Sequence, residues 1–598
     1  MIMKRLFLFN AISLAIMLIT GTSQAQDDIS RADPIHYETR IQGLENTGLG
    51  ALLEQISDLR RQENSPPLSF GGLQSRLNND ISTFIKVLES EGYYQSAIAS
   101  RFDRGQEPIR IIIDVIPGPR YMINSISINY TGTGPEQITK ERLVREMTLV
   151  TGAPGRAEDI VLSEQALIRK LPLLGYPFAK TGKRRVVVDH ADQSVQITYA
   201  IDAGPKIRFG RTVFDGTETV DRPYLMRLVP WQEGDVYDQS SMDLLRDRLY
   251  QTGLFSVVDM TIAEGETGGR RDILISVKDG AHRTVGFGAG YSSTEGFGGD
   301  VFWEHRNFLG RQEKLRLTAK FAEIEQSLTG EFSKPNFLRF DQTFVAKTGF
   351  AREDTDAFTL RTFSASAGVD RVFGENWAGS AGIDLEYTSE DDDNERRNFL
   401  LAGLPVTLRW DNTNDLLDPH EGARVALRVT PYLAEQNSGF QFTAVEISNS
   451  AYVALDKDDR YIIAGRTRLG SITGAALDRL PGNKRFYAGG GGSIRGYGYQ
   501  EVGPVDADGM PTGGRSLVEL GLEFRARITE SIGLVPFIEG GNVYQDRFPK
   551  FSDLRFGAGL GFRYYTDFAP IRLDIAFPID KRPTDQIIQF YISLGQSF

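Results

Sequence analysis

Cysteine is absent from all 598 residues. That excludes disulfide staples and thiolate metal sites, and it leaves packing and backbone pairing to hold the fold. Histidine is scarce: His36, His190, His282, His305 and His420 are scattered without metal-ligand spacing. No phosphate loop ending in Gly-Lys-Ser/Thr occurs, and Gly491-Gly492-Ser493-Ile494-Arg495 lacks the last glycine of a nucleophile elbow. Gly286-Phe287-Gly288-Ala289-Gly290 has the outline of a dinucleotide loop but opens no helix. The expectation is a protein that is not an enzyme and uses no cofactor or metal. Apolar runs long enough for a membrane helix are missing beyond the N-terminus, and a mean hydropathy of -0.27 excludes a bundle of such helices, so any membrane span must be a barrel. Excess positive charge is missing too: 79 acidic against 67 basic side chains give -12, which argues against a nucleic-acid partner.

What is present begins with Lys4 and Arg5 ahead of the apolar run Leu6 to Thr20, followed by Ser23-Gln24-Ala25. A basic start, a short apolar core and a small-x-small cleavage pattern read as a secretory signal over residues 1–25. A retained anchor is the weaker reading, because spanning needs ~20 apolar residues.

A unit then occurs three times, each copy carrying a helix tail with Gly-aromatic punctuation, a strand and a Gly-centred turn. The copies are Glu91-Gly92-Tyr93-Tyr94, Ile109 to Ile116 and Pro117-Gly118-Pro119; then Leu174-Gly175-Tyr176, Val195 to Ile201 and Ala203-Gly204-Pro205; then Thr252-Gly253-Leu254-Phe255, Ile273 to Val277 and Asp279-Gly280-Ala281. Opening strands at Ser125 to Tyr130 and Ile207 to Phe214, with helical spacing of Ile160, Leu167, Ile168 and Leu171 and of Met242, Leu245 and Leu249, give the order β-α-α-β-β. Boundaries fall at 33–118, 119–204 and 205–280. A small sheet with helices on one face leaves an edge open to strand addition.

Over residues 281–598 the texture changes to alternation rich in glycine and aromatics, as in a transmembrane β-barrel. Ile588, Phe590, Ile592, Leu594 and Phe598 share one parity, and Gln589, Tyr591, Ser593, Gly595 and Ser597 the other. Val518, Leu520, Leu522 and Phe524 alternate likewise with Glu519, Gly521, Glu523 and Arg525. Lipid outside and water inside select this split. Sixteen antiparallel strands of ~10 residues fit the available length. The fold class is therefore α+β repeats followed by an all-β barrel.

Within the barrel segment, Gly489 to Gly492, Ser493, Ile494, Arg495, Gly496 and Tyr497 set one guanidinium in a loop that glycine allows to fold back tightly. This motif, the repeats and the terminal Phe598 together resemble the outer-membrane protein assembly and translocation barrels, and each repeat resembles a polypeptide-transport-associated (POTRA) domain. The repeat number makes the TamA-type branch the nearest match, with fewer repeats than BamA and more than two-partner secretion transporters usually carry. The resemblance implies that the loop between the eleventh and twelfth strands folds into the lumen. There Gly492, Ser493, Ile494, Arg495, Gly496 and Tyr497 form the motif, and Glu523 and Glu539 are the wall partners of Arg495. Glu539 stands where the family commonly has aspartate.

The first strand, Thr284 to Tyr291, has glycine at 286, 288 and 290. Glycine weakens a strand interior, so these positions read either as a seam that parts sideways or as room for the folded-in loop. Phe590, Ile592, Leu594 and Phe598 resemble the C-terminal signal by which assembly machinery recognises such barrels. The implied function is an outer-membrane factor that inserts or secretes β-barrel or autotransporter-type clients. Its partners would be the outer-membrane bilayer of a Gram-negative bacterium, unfolded clients, an inner-membrane-anchored TamB-like protein and the barrel-assembly machinery, with the repeats in the periplasm. The alternatives are a two-partner secretion transporter, for which Gln42 to Arg61 would be a plug helix rather than a helix of the first repeat, and a passive channel.

Overall fold

The computed structural model describes residues 33–594, apart from 46, 133–134, 266–268, 294, 393–394 and 567–569. The N-terminal signal over 1–25 and the terminal Phe598 therefore lie outside the described residues. The chain divides into two compact units, residues 1–208 with 236–239 and residues 209–235 with 240–598.

The first unit contains two β-α-α-β-β repeats. In the first repeat, strand Ile109–Ile116 is central, parallel to Tyr37–Gln42 and antiparallel to Ala97–Asp103. Its buried Ile111, Ile113 and Val115 meet Leu73, Leu77, Phe84 and Leu88 of the helix Phe70–Ser90. Those four fall one or two turns apart, so one helix stripe covers one sheet face. Ser69 starts that helix by accepting the Gly72 N–H at 3.2 Å. Asp80 is buried on the same stripe because it works as a remote cap: it accepts the N–H groups of Asp58 at 2.7 Å and Leu59 at 3.2 Å at the start of the turn Asp58–Arg61. The stretch expected to be one helix from Gln42 to Arg61 is not continuous. Gly43 and Gly48 take φ of 90° and 71°, and helix begins only at Gly50–Ile56. A Cβ at Gly43 would lie 2.2 Å from the Val115 carbonyl oxygen, so the sharp exit from the strand requires glycine there.

The second repeat pairs Met122–Tyr130 in parallel with Ser194–Asp202, and the helix Ala157–Lys170 covers the sheet with Ile160 and Leu167. Glu91 joins the two repeats by accepting from Arg156 Nε at 3.0 Å and Arg120 Nη2 at 3.3 Å.

The second unit opens with a third sheet of the same topology. Strand Arg270–Asp279 lies between Arg208–Asp215 and Phe255–Ile262, with the helices Arg222–Leu228 and Gln239–Gln251 between the opening strand and the closing pair. The barrel follows at once with Arg283–Ser292 and closes on Gln589–Leu594. It has sixteen staves, because Glu395–Gly403 and Val406–Asp411 occupy one stave between the same two neighbours, Trp377–Asp392 and Gly422–Glu435. The interruption at Leu404 and Pro405 shifts no register; Pro405 has no N–H to give the ladder.

Outward-facing Phe287, Phe321, Leu328, Leu433, Leu522, Phe524 and Ile592 are exposed, which only a lipid surround sustains over such an area. The opposite parity turns inward: Glu519, Glu523, Arg525, Gln589 and Tyr591 are buried. Val518 shares the outward parity near the far end of its strand but is covered rather than exposed.

Candidate functional site: a pinned lumen loop beside the first–last seam

The loop between the eleventh stave, Tyr461–Thr473, and the twelfth, Ser516–Arg527, folds into the lumen. Left-handed backbone at Gly489, Gly490 and Gly496, with φ of 107°, 96° and 103°, reverses the chain on both sides of Arg495. Two of these positions also admit no side chain: a Cβ would lie 2.5 Å from the Gly498 oxygen at 489 and 2.8 Å from the Phe577 carbonyl at 496. Glycine thus carries the arginine to the wall and lets it touch.

Arg495 is wholly buried. Its Nε donates to Glu539 Oε2 at 3.0 Å and its Nη2 to Glu539 Oε1 at 2.8 Å, a two-point grip that its own backbone N–H reinforces at 2.8 Å. Nη2 also reaches Glu523 Oε1 at 2.7 Å, and Nη1 reaches Asp574 Oδ2 at 2.6 Å. The guanidinium plane rests 3.4 Å from the Phe537 ring centroid. Arg466 Nη2 binds Glu539 at 2.9 Å, Arg525 Nε binds Glu523 at 3.1 Å, Arg572 Nε lies 3.2 Å from Asp574, and Arg563 donates to Asp574. Every carboxylate of this buried cluster therefore meets more than one guanidinium, the condition under which buried charge is tolerated.

The remainder of the motif is equally anchored. Arg466 donates to the Gly492 oxygen at 3.2 Å and to the Ser493 oxygen, and Ser493 Oγ donates to Glu519. Ile494 is buried with Tyr497, Leu517 and Val543, and Tyr497 donates its hydroxyl to the Phe556 oxygen at 2.9 Å. Farther along the lumen, Lys484 of the loop pairs with Glu386 at 2.6 Å and Gly482 N–H donates to Glu390 at 3.2 Å, so the loop is tied to the opposite wall as well.

The fold brings together Arg495, Glu523 and Glu539, the arginine and wall acids expected from the sequence, and adds Asp574, Arg466 and Tyr591 to them. Asp574 carries a readable signal, since Arg572, Asp574 and Ala576 form the inward parity between Ile571, Leu573, Ile575 and Phe577.

The seam lies between the first and last staves. Among the described residues two register pairs join them, Tyr291 with Ile592 and Ser292 with Tyr591, against ten between the first stave and the second. Ser293 extends the contact by donating its N–H to Phe590 at 3.0 Å and its hydroxyl to Gln589 at 2.6 Å. The three glycines of the first strand divide in role. A Cβ at 286 would lie 2.3 Å from the Phe302 ring and one at 288 would lie 2.4 Å from Asp300 Oδ1, whereas one at 290 would meet only the Ile592 oxygen at 3.7 Å. Gly286 and Gly288 make room for the second stave; Gly290 alone faces the seam. Of the C-terminal set, Phe590 and Ile592 face outward, Leu594 ends the last described strand, and Phe598 lies outside the described residues.

A closed sixteen-stave barrel with an arginine-bearing loop in its lumen, preceded by small α+β repeats, defines a class of outer-membrane barrel with periplasmic repeats. Residues 307–598 match the Omp85 superfamily domain, and residues 207–280 match the POTRA family described as a surface antigen variable number repeat. It is 24% identical over 550 residues to outer membrane protein assembly factor BamA of Nitratidesulfovibrio vulgaris, covering 87% of this chain and 68% of that one. It is 20% identical over 596 residues to the BamA of Neisseria meningitidis serogroup B, covering 88% and 73%. The crystal structure of Haemophilus ducreyi BamA lacking POTRA domains 1-3 superposes with a TM-score of 0.70 at 20% identity, over 79% of this chain and all of that one, which is a likeness of fold.

Proposed function

We propose that this protein assembles or translocates β-rich client proteins at the outer membrane, with the POTRA repeats receiving the client and the seam between first and last staves releasing it. The observation that carries the reading is the pairing of opposites around one spot: a loop pinned by three buried carboxylates beside a seam joined by two register pairs among the described residues. An unpaired strand edge offers N–H and C=O groups to an incoming strand, so hydrogen bonds pass from barrel to client without exposure in lipid. No nucleotide is needed, because client folding and membrane burial release free energy. The finer reading is a TamA-type factor that handles autotransporter-like clients and works with an inner-membrane-anchored TamB-like partner; it rests on the three repeats.

Depletion of the protein from its host tests this. Outer-membrane levels of folded, heat-modifiable client barrels should fall and should recover with the wild-type chain but not with Arg495→Ala. Unchanged client levels on depletion would reject the proposal. A passive channel would show steady open conductance in planar bilayers, whereas a lumen filled by this loop should conduct little until the loop is released.

A further inference from the structure

On staves eleven to thirteen the outward parity ends in polar side chains. Ser471 lies near the outer end of the eleventh stave, Ser516 opens the twelfth, and Asn542 and Tyr544 close the thirteenth, Ile532–Tyr544. Register pairs Ser471 with Ser516, Ser516 with Tyr544 and Val518 with Asn542, so all of them share the face of the exposed Leu522 and Ile538. Polar groups facing hydrocarbon need partners within the protein. Each of these finds a backbone carbonyl of the connection 545–554. Ser471 donates its hydroxyl to the Arg547 oxygen at 2.6 Å, Ser516 to the Asp546 oxygen at 2.9 Å and Tyr544 to the Ser552 oxygen at 2.7 Å, and Asn542 donates Nδ2–H to the Asp553 oxygen at 2.9 Å. The connection, which leads to the fourteenth stave, Arg555–Tyr564, therefore folds back over the outer surface of the wall instead of entering the lumen. Val518 is fully covered there in spite of its parity. Arg515 braces the start of the fold by donating Nε–H to the Gln545 oxygen at 2.9 Å.

The same fold presents Phe548 and Phe551, 59% and 67% exposed, with the Arg547 guanidinium 5.1 Å from the Phe548 ring centroid and Lys550 paired with Asp546. Their height follows from the stave beneath. From Tyr461 to Ser471 a strand tilted about 40° rises about 25 Å, the height of the apolar band of a membrane barrel. Tyr461 stacks on Phe524 at one edge of that band, as an interfacial girdle does, so the connection stands at the other edge, against the outer leaflet. We propose that residues 545–554 form an outer-leaflet clamp, in which Phe548 and Phe551 enter the acyl chains beside the wall while Arg547 and Lys550 stay level with the lipid phosphates. The surface is continuous with the lipid-facing wall, which selects lipid over a protein in the external medium. The clamp sets the depth in the membrane of staves twelve and thirteen, which carry Glu523 and Glu539. It requires only that the barrel span a membrane and is independent of what the barrel assembles.

The absence of cysteine makes the measurement direct. A nitroxide on a single introduced cysteine of the full-length protein, in nanodiscs of phosphatidylcholine and phosphatidylglycerol, reports its surroundings by collision with oxygen, which concentrates in lipid, and with a nickel chelate, which stays in water. Phe548→Cys and Phe551→Cys are labelled one at a time, so that the other ring remains. Leu522→Cys on the lipid-facing wall and Asp508→Cys in an exposed turn of the lumen loop give the lipid and water references. The ratio of oxygen to nickel accessibility at 548 and 551 should match that at 522 and exceed that at 508 about tenfold or more, as burial of an aromatic side chain in hydrocarbon implies. Lys550→Cys, with the same nitroxide, should read between the two references. Tyr544→Phe keeps the ring but removes the hydroxyl that holds the Ser552 carbonyl, and should lower the ratio at 551 about fivefold, the effect of one lost hydrogen bond, with heat-modifiability retained. Ratios at 548 and 551 equal to that at 508 would leave the rings to a partner in the external medium and overturn the proposal. A lipid-like ratio at 551 that Tyr544→Phe does not change would overturn the part assigned to the wall.

Discussion

At the scale of the residue, the energetics of Arg495 follow from how its acids are shared. Removing one partner from a buried ion pair costs about 3–5 kcal/mol because the other charge is left unpaired. Arg495→Ala strands no acid completely, since Arg466 still reaches Glu539, Arg525 still reaches Glu523 and two arginines still reach Asp574. The expected loss is therefore near the lower end, about 3 kcal/mol, read as a fall in the temperature of barrel unfolding on heat-modifiability gels. Arg495→Lys should be little better, because an ammonium cannot reproduce the planar two-point grip on Glu539. A second prediction concerns His420 in a turn at the repeat-side end of the barrel, 3.4 Å from Asp418 and 3.2 Å from Asp459, with Arg527 3.8 Å from Asp418. Its bonds to Asp418, then to Asp459, raise its pKa above 6.5. A raised folded-state value stabilises the fold fully below the ordinary pKa and loses that contribution as pH climbs through the folded value. Unfolding temperature should therefore decline above about pH 6.5 in the wild type, and the decline should be smaller in His420→Gln. Equal slopes would show that the histidine is not coupled to folding. Residue-level legibility was uneven for a physical reason. Glu523 and Glu539 lie on the staves that follow the loop, so parity and resemblance sufficed. Asp574 and Tyr591 share the inward parity, but they sit on the fifteenth and sixteenth staves, and the curvature of the wall that brings those staves to the loop is written in no local pattern.

At the scale of the element, alternation revealed strand faces well because lipid and lumen impose a period of two. The glycines of the first strand were harder. From sequence they divide evenly between a weak seam and space for the loop, and the fold gives two of them to neither. Gly286 and Gly288 oppose Phe302 and Asp300 in register, and Phe302 is itself covered by Arg316 at 3.9 Å. Cross-strand neighbours depend on register, which parity alone leaves open. The consequence is measurable: Gly286→Ala should destabilise the barrel by about 1–3 kcal/mol through overpacking, and the double variant Gly286→Ala with Phe302→Leu should recover much of that loss. Equal destabilisation of single and double variants would argue that Gly286 serves the seam instead. The helix expected from Gln42 to Arg61 failed for a related reason, since Gly43 is demanded by the Val115 carbonyl of a strand more than a helix length away in sequence.

At the scale of the molecule, the repeats were legible as units, but the fixing of the third repeat to the barrel was not. Within the second unit, the barrel turn at residues 306–313, between the second and third staves, reaches into that repeat. Asn307 is buried, donates Nδ2–H to the Thr219 oxygen at 2.7 Å and accepts the Gln312 N–H at 3.1 Å. Tyr224 donates to Gln312 Oε1 at 2.6 Å, the Asp221 N–H donates to Gly310 at 2.8 Å, and Arg227 reaches the Asn336 oxygen of the next turn at 3.0 Å. Arg311 also pairs with Asp221 at 2.7 Å, but both side chains are substantially exposed, which puts such a pair at about 0–1 kcal/mol. Asn307 matters more, because its loss leaves the Thr219 carbonyl and the Gln312 N–H without partners, at about 1–3 kcal/mol. Arg311→Ala should therefore leave the junction intact, whereas Asn307→Ala should loosen it and expose the connection from Asp279 to Arg283 to limited proteolysis. Since the first stave begins at Arg283, directly after the last strand of the repeat, loosening the repeat also removes the hold on the base of the stave that faces the seam. With spin labels on cysteines introduced in pairs at exposed sites, Asn307→Ala should broaden the distance between Val285→Cys on the first stave and Ile538→Cys and leave that between Ile592→Cys on the last stave and Ile538→Cys narrow, and broadening of both to the same degree would mean that the repeat steadies the barrel as a whole rather than its first strand.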